Sequence, residues 1–323
     1  MNIWSLEKYL ESSNQEKFEY FINTLFATNR TPKYWVNWEK VERNSRKIEI
    51  SLNTLNYLVQ KKNIKEEAKK LFLEQPKLLE CIPILLASRD KKIGVFSYTG
   101  MSDFNVLELN FEKPNLNNID KYLQFIENTG LFTFLSQEVN SSLVDYVFGV
   151  EVGLDSNGRK NRSGEQYELI LELSLKKLIS EKPQLEYSTQ ATGKWIEENW
   201  NIVVPEVLDS NSKGGRRYDG AVFNKENGSV TIIETNFYNG GGSKLKSVAG
   251  EFSSIYETSL RDADNIKFVW LSDGLGWLSA KNPMREAFDV IPTIINLHML
   301  KDGYMKKIIE MDKKNLQQFS LDN

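Results

Sequence analysis

The sequence has one cysteine and one histidine among its 323 residues. Cys81 has no partner for an internal disulfide, and its place in the apolar run LLECIPILLAS favours a buried small side chain over a catalytic thiol. The lone histidine, His298, leaves almost nothing for a Ser-His, Cys-His or histidine-based metal mechanism. Any hydrolytic chemistry must therefore depend on carboxylates.

Long apolar runs are also missing from the sequence. The longest uncharged, apolar-rich stretch, near residues 290–300, is well short of the roughly 18 residues that span a bilayer. The first residues, MNIWSLEKYLESS, carry no basic segment followed by an apolar one. We therefore expect neither secretion nor membrane insertion.

The sequence also has little excess of charge of either sign. The formal net charge is -3, which argues against non-specific nucleic-acid binding over the whole surface. Exposed charges act over about 8–10 Å at moderate salt, so local basic clusters decide phosphate contacts. Two such clusters occur, GRKNR at residues 158–162 and KGGRR at residues 213–217.

Hydrophobic periodicity predicts a mainly helical first third. The predicted helices are residues 6–25, 41–59, 64–72 and 78–87, followed by short strands at GVFSY and VLELNF and helices at 119–126 and 135–147. No repeat or linker marks a clean boundary. We place an approximate division near residue 140, between a mainly helical N-terminal region (1–140) and a C-terminal core (141–323).

The second half of the sequence is predicted to contain both strands and helices. The segment GVEVGLDSNGRKNRSG is predicted to be a loop that leads into a helix at residues 164–178, and ATGKWIEENW is predicted to be a short helix. RRYDGAVF and SVTIIETNFY read as two strands joined by KENG, with a strong hairpin signal at Asn227-Gly228. A helix at 245–260, the strand FVWLSDG and a helix at 285–300 follow. This order predicts an α/β fold with a mixed central sheet flanked by helices.

Two carboxylates are the candidates for chemistry. Antiparallel pairing through the turn at Asn227-Gly228 can bring Asp219 and Glu234 together at one end of the hairpin. Glu234 interrupts an otherwise apolar strand, where a charge is costly unless it is paired or bound to metal. Two exposed edge-strand carboxylates remain the alternative, because the spacing of Asp, Glu and Asn236 is a weak pattern by itself.

The sequence around these residues resembles the DpnII/MboI type II restriction endonucleases, a branch of the PD-(D/E)xK nucleases. The likeness is densest in VDYVFGVEVGLDSNGRKNRSG, RRYDGAVF, IIETNFYNGGGSKL and FVWLSDGLGWLSAKNPMREAFDVIP. It implies a restriction-endonuclease-like core, with Asp219 and Glu234 as ligands of Mg²⁺. The superfamily lysine two residues after the glutamate is replaced here by Asn236, and the proline before the aspartate by Tyr218.

The resemblance also suggests roles for neighbouring residues. We expect Asn236 to position the attacking water and Lys244 to contact phosphate, with Lys244 in the catalytic role as the alternative. Glu168 is expected to be an outer metal partner; it competes with Glu165 and Glu172, and a solvated helix charge is the plainer interpretation. The predicted DNA contacts are Arg159, Lys160, Asn161, Arg162, Lys213, Arg216, Arg217 and Ser243. On composition alone, a charge run such as GRKNR is more often just a solvated loop.

The resemblance implies a homodimer that cuts double-stranded DNA at GATC with Mg²⁺. It further implies a partner adenine DNA methyltransferase whose modification blocks cleavage, and a place in the cytoplasm of a bacterial or archaeal cell. A repair or junction-resolving PD-(D/E)xK nuclease is one alternative. A catalytically silent, sequence-specific DNA-binding protein is another, because the superfamily lysine is missing.

Overall fold

A computed structural model describes residues 3–98, 104–140, 142–205, 216–263 and 265–316. The first helices and strands in chain order are α1 (Leu6–Glu11), α2 (Asn14–Asn23), α3 (Trp38–Arg46), α4 (Glu49–Leu55), α5 (Ile64–Glu74), α6 (Ile82–Leu85), β1 (Lys92–Tyr98), β2 (Phe104–Asn110), α7 (Ile119–Asn128), α8 (Leu131–Thr133) and α9 (Leu143–Asp155). Those that follow are α10 (Arg159–Glu181), β3 (Leu185–Thr192), α11 (Gly193–Trp200), β4 (Arg217–Asn224), β5 (Ser229–Phe237), α12 (Ser243–Ile255), β6 (Ile266–Asp273), α13 (Lys281–Phe288), β7 (Ile294–Ile295), α14 (Leu297–Lys301) and α15 (Tyr304–Glu310).

The chain forms two compact units. The sheet unit combines Met1–Arg30 with Asn161–Asn323, and the helical unit is Thr31–Lys160. These bounds differ from the predicted regions 1–140 and 141–323, because the first thirty residues pack with the C-terminal part of the chain. The predicted division by role, into an N-terminal region and a catalytic core, stays a prediction.

The helical unit buries its own core. Apolar side chains from α4 to α9 meet there around Phe72, Phe111 and Leu123, each at most 1% exposed. β1 and β2 form an antiparallel hairpin in the same unit. Two buried acids, Glu151 and Asp155 of α9, are held by Arg89 and by a backbone N–H of the segment before α3.

The sheet unit contains a five-stranded mixed sheet among the described residues, with strand order β3-β4-β5-β6-β7. β3, β4 and β5 are antiparallel neighbours, whereas β5, β6 and β7 are parallel. β6 is buried at every position, as expected for a strand covered on both faces. The predicted α/β fold with a mixed sheet and a mainly helical N-terminal part is therefore confirmed.

The hairpin predicted at Asn227-Gly228 is present. Gly228 has φ +64°, a conformation that glycine adopts without steric cost, and its N–H donates to Asn224. The hairpin register pairs Asn224 with Ser229 at the turn and Gly220 with Ile233 further along. This register decides which side chains of β4 and β5 become neighbours.

Three local predictions were wrong. The predicted helix at 285–300 is divided between α13, β7 and α14, because Pro292 interrupts the pattern and β7 pairs with β6 instead. β3 was missed, since only its first and seventh residues are buried and the sequence shows no alternation. The predicted loop around GRKNR is helical: α9 ends at Asp155 and α10 begins at Arg159. Packing of buried α10 side chains such as Tyr167 outweighs the glycines that suggested a loop.

A further buried carboxylate, in the sheet unit, lies at the C-terminal end of β6. Asp273 is fully buried and accepts hydrogen bonds from the backbone N–H groups of Phe26, Gly274 and Leu297, at 2.7, 2.6 and 2.8 Å. Burial raises its pKa to about 6 against the lowering effect of these donors. Asp273 thereby ties the segment after α2 and the start of α14 to the sheet. No helix in the described ranges has the length and apolarity needed to cross a membrane.

Candidate active site

Asp219 and Glu234 lie where the β4–β5 hairpin opens. Gly220 and Ile233 are the last paired residues of the β4–β5 ladder on that side. Asp219 precedes Gly220, and Glu234 follows Ile233. The Oδ2 atom of Asp219 accepts hydrogen bonds from both the backbone N–H and the hydroxyl of Thr235, each at 2.8 Å. The structure thus places the two predicted carboxylates on neighbouring strands, with Asp219 fixed through one of its oxygens.

Glu234 is buried, with only 7% of its surface exposed. Its Oε1 accepts a hydrogen bond from Nε of Arg216 at 2.8 Å, and Arg216 also pairs with Glu251 at 2.6 Å while lying over the ring of Phe252. Burial raises the pKa of Glu234 to about 7; Arg216 opposes the rise, and the charges of Asp219 and Glu251 add to it. A second positive charge near this carboxylate would therefore be favourable.

Glu168 of α10 is brought to the same place. The side-chain amide of Gln190, on β3, lies 3.5 Å from an oxygen of Glu168 and 3.5 Å from Oδ1 of Asp219. Burial raises the pKa of Glu168, with further contributions from Asp219 and Glu165. Glu168 therefore lies near Asp219, and its role as an outer metal partner stays a prediction.

Sequence reasoning missed Gln190, Thr235 and Glu251 as neighbours of the carboxylates. Gln190 was missed because it lies on β3, which the sequence did not predict. Thr235 lies between Glu234 and Asn236, but a threonine inside a strand indicates only that the segment favours β-structure. Glu251 is an exposed residue of α12, and its position gives no indication that Arg216 reaches it.

Asn236 is the residue predicted to replace the superfamily lysine, and its side-chain carbonyl oxygen takes part in a hydrogen bond. Oδ1 of Asn236 accepts a hydrogen bond from the hydroxyl of Ser272, and that hydroxyl accepts one from the indole N–H of Trp277 at 2.8 Å. The carbonyl oxygen has a second lone pair and the amide nitrogen has two hydrogens, so either end of the side-chain amide could orient a water molecule.

The glycine-rich loop leads into the first turn of α12. A Cβ on Gly241 would lie 2.2 Å from the hydroxyl of Ser279, and Gly242 has φ +152°, so both positions require glycine for reasons within the protein. Ser243 and Lys244 are exposed at the start of the helix. The structure gives no contact between Lys244 and the carboxylates, so its part in catalysis or phosphate binding stays a prediction.

The predicted DNA-binding residues fall into different surroundings. Arg159, in the helical unit, donates to the carbonyl of Trp35 at 3.1 Å and lies over its ring. Asn161 is exposed and Arg162 half-buried in the first turns of α10. Arg217 is exposed at the start of β4, whereas Arg216 is committed to two carboxylates. Lys213 lies outside the described residues, and so does the side chain of Lys160.

Comparison with known proteins decides the family. A model of the family described as DpnII restriction endonuclease matches residues 17–307. The chain belongs to the DpnII restriction endonuclease family. Its relatives include the type II restriction enzyme LlaDCHI of Lactococcus lactis subsp. cremoris, which is 45% identical over 94% of this chain and 98% of its own length. MjaIII of Methanocaldococcus jannaschii is 43% identical over 90% of this chain and 99% of its own length.

DpnII of Streptococcus pneumoniae is 33% identical over 90% of the chain and 98% of its own length. No solved structure matches. The predicted family is confirmed, and with it the class of enzyme: a type II restriction endonuclease, which is a site-specific deoxyribonuclease. Enzymes of this class generally need a divalent metal ion.

The residues at the hairpin fit such an ion. In the described parts of the chain, no three His, Cys, Asp or Glu side chains come together as a metal-binding group. Mg²⁺ nevertheless commonly binds through one or two carboxylates plus water. Asp219, whose Oδ1 lies 3.5 Å from the amide nitrogen of Gln190, and the buried Glu234 supply that donor set.

Proposed function

We propose that this enzyme hydrolyses duplex DNA at GATC with Mg²⁺, and that adenine methylation within the site blocks cleavage. The observation that carries the proposal is that Asp219 and the buried Glu234 both lie just beyond the last paired residues of the hairpin, in a chain of the DpnII family. A PD-(D/E)xK arrangement of the site is part of the proposal.

Asp219 and Glu234 would hold the metal ion. When bound, the ion lowers the pKa of a coordinated water and neutralises charge that develops on the phosphate. Asn236 orients the attacking water through its side-chain amide, which the hydrogen bond from Ser272 holds in place. Ser243 and Lys244 contact phosphate oxygens at the N-terminus of α12, where backbone N–H groups favour an anion.

Recognition is assigned to the first turn of α10. Arg159 and Arg162 carry the donors that match guanine N7 and O6, and the Asn161 amide matches adenine N7 and N6. An α-helix fits the major groove, so the helical form of this segment is compatible with base readout. Lys160, Lys213, Arg216 and Arg217 contact the DNA backbone; for Arg216 this requires leaving at least one of its two carboxylate partners.

The symmetry of GATC favours a homodimer that presents one site to each half of the sequence. A methyl group on adenine N6 removes a donor hydrogen and adds bulk where Asn161 must approach. The enzyme therefore acts in the cytoplasm of a bacterial or archaeal cell beside an adenine methyltransferase that protects the host's own GATC sites.

The test is digestion of one plasmid prepared with and without adenine methylation at GATC. Purified protein is incubated with Mg²⁺, the ends are sequenced, and an Asp219→Ala preparation controls for contaminating nuclease. We expect cleavage at GATC in the unmethylated plasmid alone, and a dimer in gel filtration. Equal cutting of both plasmids would overturn the methylation readout, and cutting at other sequences would overturn GATC specificity. Binding without cleavage would favour a silent DNA-binding protein, and cutting confined to junctions would favour a resolving nuclease.

A further inference from the structure

We propose that Gln190 is a positioning residue of this enzyme, whose side-chain amide holds Glu168 and Asp219 in the arrangement that hydrolysis requires. The inference rests on the proposed function and extends it to a residue on a third strand. Three observations support it: an unusual backbone conformation, the position of the amide between two carboxylates, and the way in which Asp219 is held on its other side.

The backbone of Gln190 is in the left-handed region, with φ +57°. The ladder between β3 and β4 pairs Thr189 with Gly220 and Ala191 with Tyr218, so Gln190 stands opposite Asp219 at the point where β3 is distorted. A left-handed conformation is sterically unfavourable for residues other than glycine, because the Cβ comes too close to the backbone. Such strain is typical of functional sites, and glycine would relieve it here.

The amide lies between two like charges. Nε2 of Gln190 is 3.5 Å from Oε2 of Glu168 and 3.5 Å from Oδ1 of Asp219, and a primary amide has one hydrogen for each. These distances are at the outer limit for a hydrogen bond, as is common in catalytic sites before substrate and metal bind. The amide offsets the repulsion between the two carboxylates without adding a charge.

Asp219 is held through both oxygens by this arrangement. Thr235 donates twice to Oδ2, and Gln190 reaches Oδ1. Loss of the amide would leave the Thr235 contacts in place, so Asp219 would stay in the site while its Oδ1 side and Glu168 lost their common donor. Removing the partners that orient ligating carboxylates typically costs about 10–100-fold in activity or metal affinity.

The experiment uses three substitutions that separate the amide from the backbone. Gln190→Gly removes the amide and relieves the left-handed strain, Gln190→Ala removes the amide and retains the strain, and Gln190→Glu keeps the length but exchanges the donor for a charge. The matched control is Gln60→Gly, since Gln60 is an exposed glutamine with φ +60° in the helical unit. Melting temperature and DNA affinity are measured without divalent metal, and kcat and KM with Mg²⁺ on a GATC plasmid.

We expect kcat to fall about 10–100-fold in all three variants at position 190. In the glycine and alanine variants, KM and the metal-free DNA affinity should stay within about twofold of wild type. Gln190→Gly should melt at or above the wild-type temperature, and above Gln190→Ala. Gln60→Gly should gain stability with unchanged kcat. If the amide has no part in catalysis, Gln190→Gly should instead keep the wild-type kcat at the same wild-type or higher stability.

Wild-type kcat in Gln190→Gly or in Gln190→Glu overturns the inference, because either result shows that the amide donor is not needed. A loss of kcat that merely follows a lower melting temperature in Gln190→Gly overturns it as well. The failure of the proposed function is a separate result: the wild-type protein itself would then cut no GATC plasmid, and the inference would fall with it.

Discussion

Glu234 and Asp273 are two buried carboxylates in the same sheet, and the protein holds them in different ways. Asp273 accepts three backbone N–H groups, which are fixed by the fold. Glu234 is held by one guanidinium, that of Arg216, which is itself shared with the exposed Glu251. A buried acid satisfied by backbone donors cannot exchange its partners without unfolding, whereas one satisfied by a side chain can.

The difference separates a structural acid from a reactive one. Burial disfavours the charged form of both Glu234 and Asp273, and it raises the pKa of both carboxyl groups. Only at Glu234 does a second carboxylate, Asp219, stand on the neighbouring strand, so that a cation would relieve two negative charges at once. The following predictions test this contrast.

The largest expected effect is on catalysis. Asp219→Ala and Glu234→Ala should each lower the rate of cleavage by roughly 10³-fold or more, because a metal ligand is lost. DNA binding should be retained or strengthened, since a negative charge near phosphate is removed. Cleavage rates and DNA affinity are compared with those of Glu181→Ala, an exposed residue at the end of α10. A variant that cuts at nearly the wild-type rate would remove that residue from the site.

The second effect is on stability. Asp273→Ala leaves three buried N–H groups without their acceptor and should lower the free energy of unfolding by about 2–4 kcal/mol. The folded protein should keep its kcat, because Asp273 is not a site residue. Denaturant unfolding measures the loss, with the exposed Asp289→Ala as control. If Asp273→Ala were as stable as that control, the contrast between the two acids would fail.

The third effect concerns pH. The pKa of Glu234 is about 7 in the folded protein and 4.5 for a free glutamate, so the folded state holds the extra proton between these values. The contribution of Glu234 to stability is therefore present at low pH and lost as the pH rises through about 7.

Comparison with Glu234→Gln isolates this effect, because Asp273 titrates in both proteins. In metal-free buffer the variant should gain stability relative to wild type by roughly 1–3 kcal/mol between about pH 5 and about pH 8. Added Mg²⁺ should stabilise the wild type more at the higher pH and leave the variant nearly unchanged. A stability difference that is constant with pH would contradict the raised pKa.

The smallest effects are expected at Asn236 and Lys244. Asn236→Ala should lower kcat about tenfold or more with little change in DNA affinity, if its amide orients the water.

Lys244→Ala should weaken DNA binding by roughly 2–10-fold and reduce its salt dependence, as expected for a phosphate contact. The reverse pattern, with kcat lost in the lysine variant alone, would move the superfamily lysine's role to Lys244.

Much of the sheet could be predicted from local sequence. The hairpin is encoded by two apolar, strand-forming runs and by Asn227-Gly228 between them. The charge of Glu234 within an apolar strand marked it as a candidate without any structure. β7 could not be predicted, since a short buried apolar run has no periodicity that distinguishes strand from helix. Gln190 also could not, because its importance depends on a distortion of β3 that brings it opposite Asp219, and that is a property of the assembled sheet.

The first thirty residues have a consequence for how the enzyme is made. The hydroxyl of Tyr9 donates to the carbonyl of Ile294 at 2.6 Å, and the Asn296 amide donates to the carbonyl of Phe21 at 3.1 Å. These partners are 285 and 275 residues apart in the chain, and the whole helical unit is synthesised between them. On the ribosome, α1 and α2 must therefore wait until β7 and the segment after it have emerged, whereas the helical unit already has all its residues. Completion of the core that carries the carboxylate pair is accordingly a late step of biosynthesis.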